Sequence, residues 1–357
     1  ASIYLALTPN HAGEYGEDLE AVGEAGKWVK SVKDYLDHAK PHADVGVILG
    51  TPSMDAENFG NKNAFWNDYN QTQISPETEA MSICEDLENA GYFSQILYAY
   101  ADYTNWPASL SKFKAIILPE HVELDEEHLQ KIRDYVREGG KCIAFGHATL
   151  IDEAGKRLAD HALADLFGIQ NRGGIVYAPA PIEFETDLKK KYFRGVTFDP
   201  FFEKMNIIAS PDARVIAKEN KAIYHKYGEG ESYYFAVGEA TFRGNTSFWT
   251  GLSRMAGMQP GLQFQNPPSH ERGGFKKYVH RYVTILNETS QGKVLHIIDR
   301  QASSSRVELS LLTEIIGDAA RAEAIESGEE VELLRDGERT LFSVTPDPVV
   351  TILFHSN

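Results

Sequence analysis

Two short stretches of this 357-residue chain carry side chains able to hold and move protons. One is the turn Phe145-Gly146-His147-Ala148, and the other is Gly238-Glu239-Ala240. Each follows an apolar run. If His147 and Glu239 both project above the carboxyl edge of a sheet, they form a pair able to bind a polar ligand or relay a proton. The plainer reading makes them polar loop residues that cap helices. Glu120-His121-x-Glu123, with His128 further on, offers metal-capable side chains. Its spacing matches no standard zinc signature, so it reads as a solvated loop leading into a helix that Asp125 opens as a first-turn anion. Neither a metal nor a cofactor is expected.

Phe65-Trp66-Asn67-Asp68-Tyr69-Asn70 is the most ligand-like loop. Aromatic faces stack on sugar rings, and Asn or Asp side chains bond hydroxyls, which makes Trp66 and Tyr69 candidate substrate-binding residues. Trp106, before Pro107 in another loop, joins them as a third. A subunit contact and a self-packed lid compete with that reading, because Trp and Tyr are enriched at interfaces. Asp152, Glu153, Asp160 and Asp165 lie near helix starts, and no two of them can be assigned as the facing carboxyls of glycosidic cleavage. Cys142 opens an apolar strand and reads as buried packing. Tyr227-Gly228-Glu229-Gly230-Glu231 is a hairpin turn rather than a phosphate loop, since its acids repel phosphate. Lys189-Lys190-Lys191 reads as a solvated face.

Composition narrows the partners. With 52 acidic and 35 basic side chains the formal charge is −17, a field that repels nucleic acid and anionic lipid. Apolar residues at 42% and charged residues at 24% fit a globular protein. The two cysteines, Cys84 and Cys142, exclude a disulfide framework and a cysteine-based zinc site. No apolar run approaches the roughly 18 to 20 residues that cross a bilayer. The chain is therefore read as soluble, whether cytoplasmic or exported. Ala1 to Pro9 lacks the basic leader of a signal peptide, and no initiating Met is present, so a trimmed or processed piece is expected.

The elements that must position these residues follow from periodicity. Ile3 to Leu7 reads as a short strand. Leu19, Val22, Ala25, Val29, Val32 and Leu36 then recur at helical steps up to Pro41. From Val45 buried strands alternate with amphipathic helices: strand 45–49, helix 77–90, strand 94–98, strand 114–118, helix 125–138 and strand 141–145. Such alternation implies a mostly parallel sheet covered on both faces, with ligands beyond its carboxyl ends. After Gly168 the chain is strand-rich, with a buried strand at 233–237 and a helix at 249–258. Gly261 to Gly274 reads as a linker. Beyond it come short strands at 278–286, 293–298, 331–334, 341–344 and 349–354, with Asp336-Gly337 as a hairpin signal.

Several of these segments resemble a known family. Phe113 to Pro119, Leu124-Asp125-Glu126-Glu127, Tyr135 to Gly140, Cys142 to Thr149, Leu163 to Gly168 and Tyr227 to Phe235 together resemble the trimerisation domain of β-galactosidases. The end of the chain, with Asp336-Gly337-Glu338 before its last strand, resembles their terminal all-β domain. Leu5, Thr8-Pro9, Gly13, Leu19, Gly26 and Trp28 resemble the last barrel strand and exit helix of α-L-fucosidase-like glycoside hydrolases. The resemblance covers nearly the whole chain, and its motifs are structural rather than catalytic.

The resemblance implies an α/β fold: a flavodoxin or class I amidotransferase-like, mostly parallel sheet followed by a small β-sandwich. Residues 1–44 would be the last barrel strand and exit helix of a preceding catalytic barrel, and 45–262 the trimerisation domain. Residues 263–276 would be a linker and 277–357 the sandwich. Class I amidotransferases place a nucleophilic Cys on the turn after a central strand, with a His and a Glu after the last strand. Here the turn carries His147 and no Cys, and Glu239 lacks the His, so that mechanism is not expected. The expected role is non-catalytic assembly and support of a glycoside hydrolase, with possible walling of its sugar site. Its expected partners are further copies of the chain and an upstream barrel, with carbohydrate as a possible ligand. The alternatives are a stand-alone hydrolase or transferase using His147 and Glu239, and a carbohydrate-binding module using Trp66, Tyr69 and Trp106.

Overall fold

Strands whose residues are apolar without alternation must be covered on both faces. Val45–Gly50 and Ala115–Leu118 are of this kind, and both are buried throughout. A computed structural model describes residues 26–35, 38–50, 76–99, 105–152, 156–196, 198, 201–265, 271–272, 277–278, 282–299, 305–347 and 349–355. Its residues fall into two compact units: Ala43–Leu262 with Glu271–Tyr278, and Ala1–His42 with Gln263–His270 and Val279–Asn357. Among the described residues no helix is long and apolar enough to cross a membrane.

The first unit is built on a seven-stranded sheet in the order Ser94–Ala99, Val45–Gly50, Ala115–Leu118, Lys141–Phe145, Gly230–Phe235, Ala222–Tyr227, Arg214–Ala217. The first five strands are parallel and the last two pairings antiparallel. Side chains alternate between two cores. Ile116, Leu118, Cys142 and Ala144 face one, with Leu129, Ile132 and Val136 of the helix Glu126–Arg137. Ala115, Ile117, Ile143 and Phe145 face the other, with Ala80, Ile83 and Leu87 of the helix Pro76–Asn89 and Phe248, Trp249 and Leu252 of Thr246–Met255. This is the expected mostly parallel sheet, and Cys142 is fully buried within it as anticipated.

Capping sets the helix limits. The Asp125 carboxylate accepts the His128 backbone N–H, with Glu126 and Glu127 in the first turn and Arg137 in the last. The last helix begins at Thr246 rather than 249, because the Asn245 side chain accepts the Phe248 N–H. The strand-rich stretch after Gly168 is a long ribbon, Ile169–Ala180 paired antiparallel with Phe201–Ala209. Lys189, Lys190 and Lys191 stand exposed in the last turn of the helix Thr186–Tyr192.

Among its described residues the second unit is all-β apart from two short helical pieces. One sheet runs Lys40–Pro41, Tyr282–Thr289, Gly292–Asp299, Val349–His355, Ala322–Ala324, Glu329–Val331, antiparallel throughout. A second contains Val307–Leu312, Arg339–Val344 and Leu334–Asp336. Phe342 of one sheet meets Phe354 of the other edge to face at 5.6 Å, as in a sandwich interior. Asp336-Gly337 turns between two strands as expected. The single strand expected at 331–334 is instead two: Val331 closes a strand of the first sheet and Leu334 opens one of the second. Residues 26–35 are helical and belong to this unit. The Trp28 indole N–H lies 3.1 Å from Glu326 Oε1 and 3.3 Å from Thr351 Oγ1, and its ring meets His296 at 5.6 Å.

Candidate functional site

Paired parallel strands that end together bring the residues just beyond them side by side. Leu118 is in register with Ala144. Two and three positions on, Glu120 and His121 therefore face Gly146 and His147 at the carboxyl edge of the sheet. The structure makes that contact: His147 Nδ1–H donates to Glu120 Oε1 at 2.9 Å, since the carboxylate can only accept. The His121 and His147 rings stack with centroids 6.3 Å apart. Glu79, in the first turn of the helix Pro76–Asn89, joins the group through His121. One of its oxygens accepts the His121 backbone N–H at 3.2 Å, and the other accepts the ring Nδ1–H in a short contact.

The turn that carries His147 is held from several sides. Gly146 adopts φ 45° and its N–H is shared between the carbonyls of Phe235 and Val237. Tyr234 donates its hydroxyl to the Gly146 carbonyl at 2.6 Å, and His161 donates Nδ1–H to the Ala148 carbonyl at 2.7 Å. Thr149, a β-branched residue at φ 61°, is kept in the left-handed region by its N–H bond to the Val122 carbonyl. Strain held by so many partners marks a turn whose shape matters.

Burial sets the electrostatics. His147 is 4% exposed and the Glu79 side chain 3%. Burial by itself would raise the Glu120 carboxyl, but the hydrogen bond from His147 and the positive fields of His121 and His147 outweigh it and hold the group below the ordinary carboxylate value. Glu123, 2% exposed, goes the other way: burial pushes it up to about 7 against the pull of His121, with Asp152 adding to the rise. The solvated loop expected at 120–123 is thus corrected: these residues are drawn into the sheet edge. Among the described residues, Glu120, His121 and His147 form a group that can hold a metal ion, their ligand atoms all within 4.8 Å of one another.

The other candidates are dispersed. His128 leaves the cluster and bonds its cap, Nδ1 to Asp125 Oδ1 at 2.8 Å. Glu239 opens a 3-10 turn, Glu239–Phe242, and its side chain lies outside the described residues. Trp66 and Tyr69, with the rest of 65–70, also lie outside them. Trp106 packs against the helix-side core, its ring 4.5 Å from that of His128. Burial pushes the Cys84 thiol up to about 12 and raises Cys142 as well, so neither supplies a thiolate. Sequence reasoning had named Glu120, His121 and His147 in separate motifs. The signal that unites them is their place two or three residues past the ends of two neighbouring apolar strands.

Residues 66–258 match the family model of the β-galactosidase trimerisation domain. The chain belongs to that family. Solved structures share the fold of nearly the whole chain. A catalytic mutant of a GH42 β-galactosidase from G. stearothermophilus is similar over 98% of this chain and 45% of its own, with TM-score 0.62 at 14% identity. The β-galactosidase of Bacillus circulans sp. alkalophilus gives 96%, 46%, 0.62 and 16% for the same quantities. The α-L-fucosidase isoenzyme 2 of Paenibacillus thiaminolyticus gives 94%, 52%, 0.61 and 16%. At these identities the likeness is one of fold. The chain spans about half the length of these three solved structures. No curated protein sequence matches it. The expected glycoside-hydrolase-like region with a trimerisation domain is therefore what the chain contains.

Proposed function

We propose that this chain is the non-catalytic assembly and support region of a larger glycoside hydrolase, β-galactosidase-like or α-L-fucosidase-like, and that it joins copies of its parent into a homo-oligomer. The trimerisation-domain match over 66–258 carries the reading. Fold likeness that runs through almost all of this chain but half of each relative supports a parent whose catalytic barrel precedes Ala1. The turn at 145–148, with His147 and no cysteine, supports the absence of amidotransferase chemistry. Residues 45–262 would then be the assembly domain and 277–357 the supporting sandwich, with 263–276 joining them. Trp66, Tyr69 and Trp106 are proposed to wall the sugar site of a neighbouring barrel.

A second reading rests on the His147–Glu120 hydrogen bond, which has the form of a general base and its orienting partner. Two measurements on the 357-residue chain separate the readings. Light scattering coupled to size exclusion should give a multiple of the chain mass, three copies by the family's description, and aryl β-galactoside and α-L-fucoside substrates should not turn over. A monomer at micromolar concentration sinks the assembly role. Turnover abolished by His147→Ala would establish the second reading instead.

A further inference from the structure

We propose that Glu120, His121 and His147 bind a divalent transition-metal ion of the zinc class, with Glu79 as a positioning residue for His121. Two imidazoles and one carboxylate are a donor set that suits zinc and its neighbours and leaves a coordination position for water or a further ligand. The site is at the carboxyl edge of a parallel sheet, where such folds place ligands. It is independent of the assembly role and stands or falls apart from it.

Geometry argues for the ion over a simple polar cluster. Tetrahedral zinc with bonds of about 2.0–2.1 Å keeps its ligand atoms about 3.3 Å apart. His147 Nδ1 and Glu120 Oε1 are already 2.9 Å apart, joined by a proton where the metal would bridge them. The widest separation among the three ligand atoms is at most 4.8 Å. His121 gives Nδ1–H to Glu79, which leaves Nε2 as its donor atom and fixes ring and tautomer, the carboxylate–histidine–metal arrangement of many zinc sites. Glu79 also takes the His121 backbone N–H, so one buried carboxylate aligns both the ring and the chain that bears it.

The protein has also made room for the carboxylate. A Cβ at Gly146 would stand 2.4 Å from Glu120 Oε1, and one at Gly238 would stand 1.9 Å from Oε2. Glu120 thus lies in a cradle between two strand ends that only glycines leave open. The cradle fixes one carboxylate oxygen beside the His147 ring, so this donor pair is preset.

The test titrates the EDTA-dialysed full chain with Zn(II) by calorimetry and with Co(II) by visible absorption. One ion per chain is expected, with the intense d–d bands of four- or five-coordinate cobalt. His121→Ala, at a partly exposed position that leaves the core intact, should abolish the bands while far-ultraviolet circular dichroism stays that of the wild type. Glu120→Gln, which keeps the shape of the side chain, should weaken zinc at least tenfold, and Glu79→Gln should weaken it roughly 10–100-fold. Zinc should raise the melting temperature of the wild type and not that of His121→Ala. The chain has twelve histidines, so binding alone does not locate the ion. Wild-type affinity and stoichiometry in both His121→Ala and Glu120→Gln would place it elsewhere and overturn the proposal, as would the absence of binding by either metal.

Discussion

A methyl group added at position 238 asks whether the Glu120 carboxylate must sit where it does. An alanine Cβ there overlaps Oε2, and the displaced atom is the end of a flexible side chain, so the backbone need not move. Glu120 would instead swing away from His147 and lose a charged hydrogen bond. Gly238→Ala should cost about 1–3 kcal/mol in denaturant unfolding. Gly146→Ala should cost about 1 kcal/mol more, because φ 45° adds backbone strain. The decisive measurement is a double-mutant cycle: in a Glu120→Ala background Gly238→Ala should be close to neutral. Equal costs in both backgrounds would mean that the glycine serves something other than Glu120. Read as a sequence, Gly238 is only a residue after a strand. Its purpose depends on a carboxylate 118 positions earlier, and no local pattern carries that information.

At the scale of elements, apolar runs and caps were legible because their cause is local. Ala115–Leu118 could only be a buried strand, and Asp125 and Gly139 delimit their helix. What escaped was any feature decided by pairing, such as the change of sheet between Val331 and Leu334, where a continuous β-compatible run is cut by tertiary context. Asp86 is another such feature. On the helix Pro76–Asn89 it is 4% exposed, and it accepts the Gly244 N–H and the Trp249 indole N–H at 3.0 Å, tying that helix to Thr246–Met255. Burial pushes its carboxyl up to about 6 against those two bonds, with Glu85 adding to the rise and Arg243 opposing it. The unfolded chain releases this proton near pH 4, the folded chain near pH 6. Between those values the folded state binds more protons, so stability falls as pH rises and is level above the window. The loss is about 3 kcal/mol. His161 and His296, each lowered to about 4 by burial, titrate in the opposite sense, so the observable is wild type minus Asp86→Asn. That difference should decline from pH 4 to 6; a flat difference would mean the Asp86 carboxyl is not shifted.

At the scale of the whole chain, the first described residues share a unit with the last. Lys40–Pro41 adds a strand beside Asn287 and Glu288, and the His42 N–H continues the ladder to the Leu286 carbonyl at 2.9 Å. Val32 of the helix at 26–35 is fully buried, and Trp28 reaches Glu326 and Thr351 from it. The helix at 26–35 and the strand Lys40–Pro41 are thereby part of the fold of the terminal β unit. Contacts separated by about 300 residues close late and are costly to nucleate, so once formed they should report on that unit as a whole. Trp28→Ala removes a half-buried indole and its N–H bonds, a loss of about 2 kcal/mol. Hydrogen exchange should therefore quicken in Tyr282–Thr289, Gly292–Asp299 and Val349–His355 and stay unchanged in Val45–Gly50, Ala115–Leu118 and Lys141–Phe145. Exchange that quickens equally in both sets would mean that the two units unfold as one, and that the N-terminal helix stabilises more than the β unit it packs against.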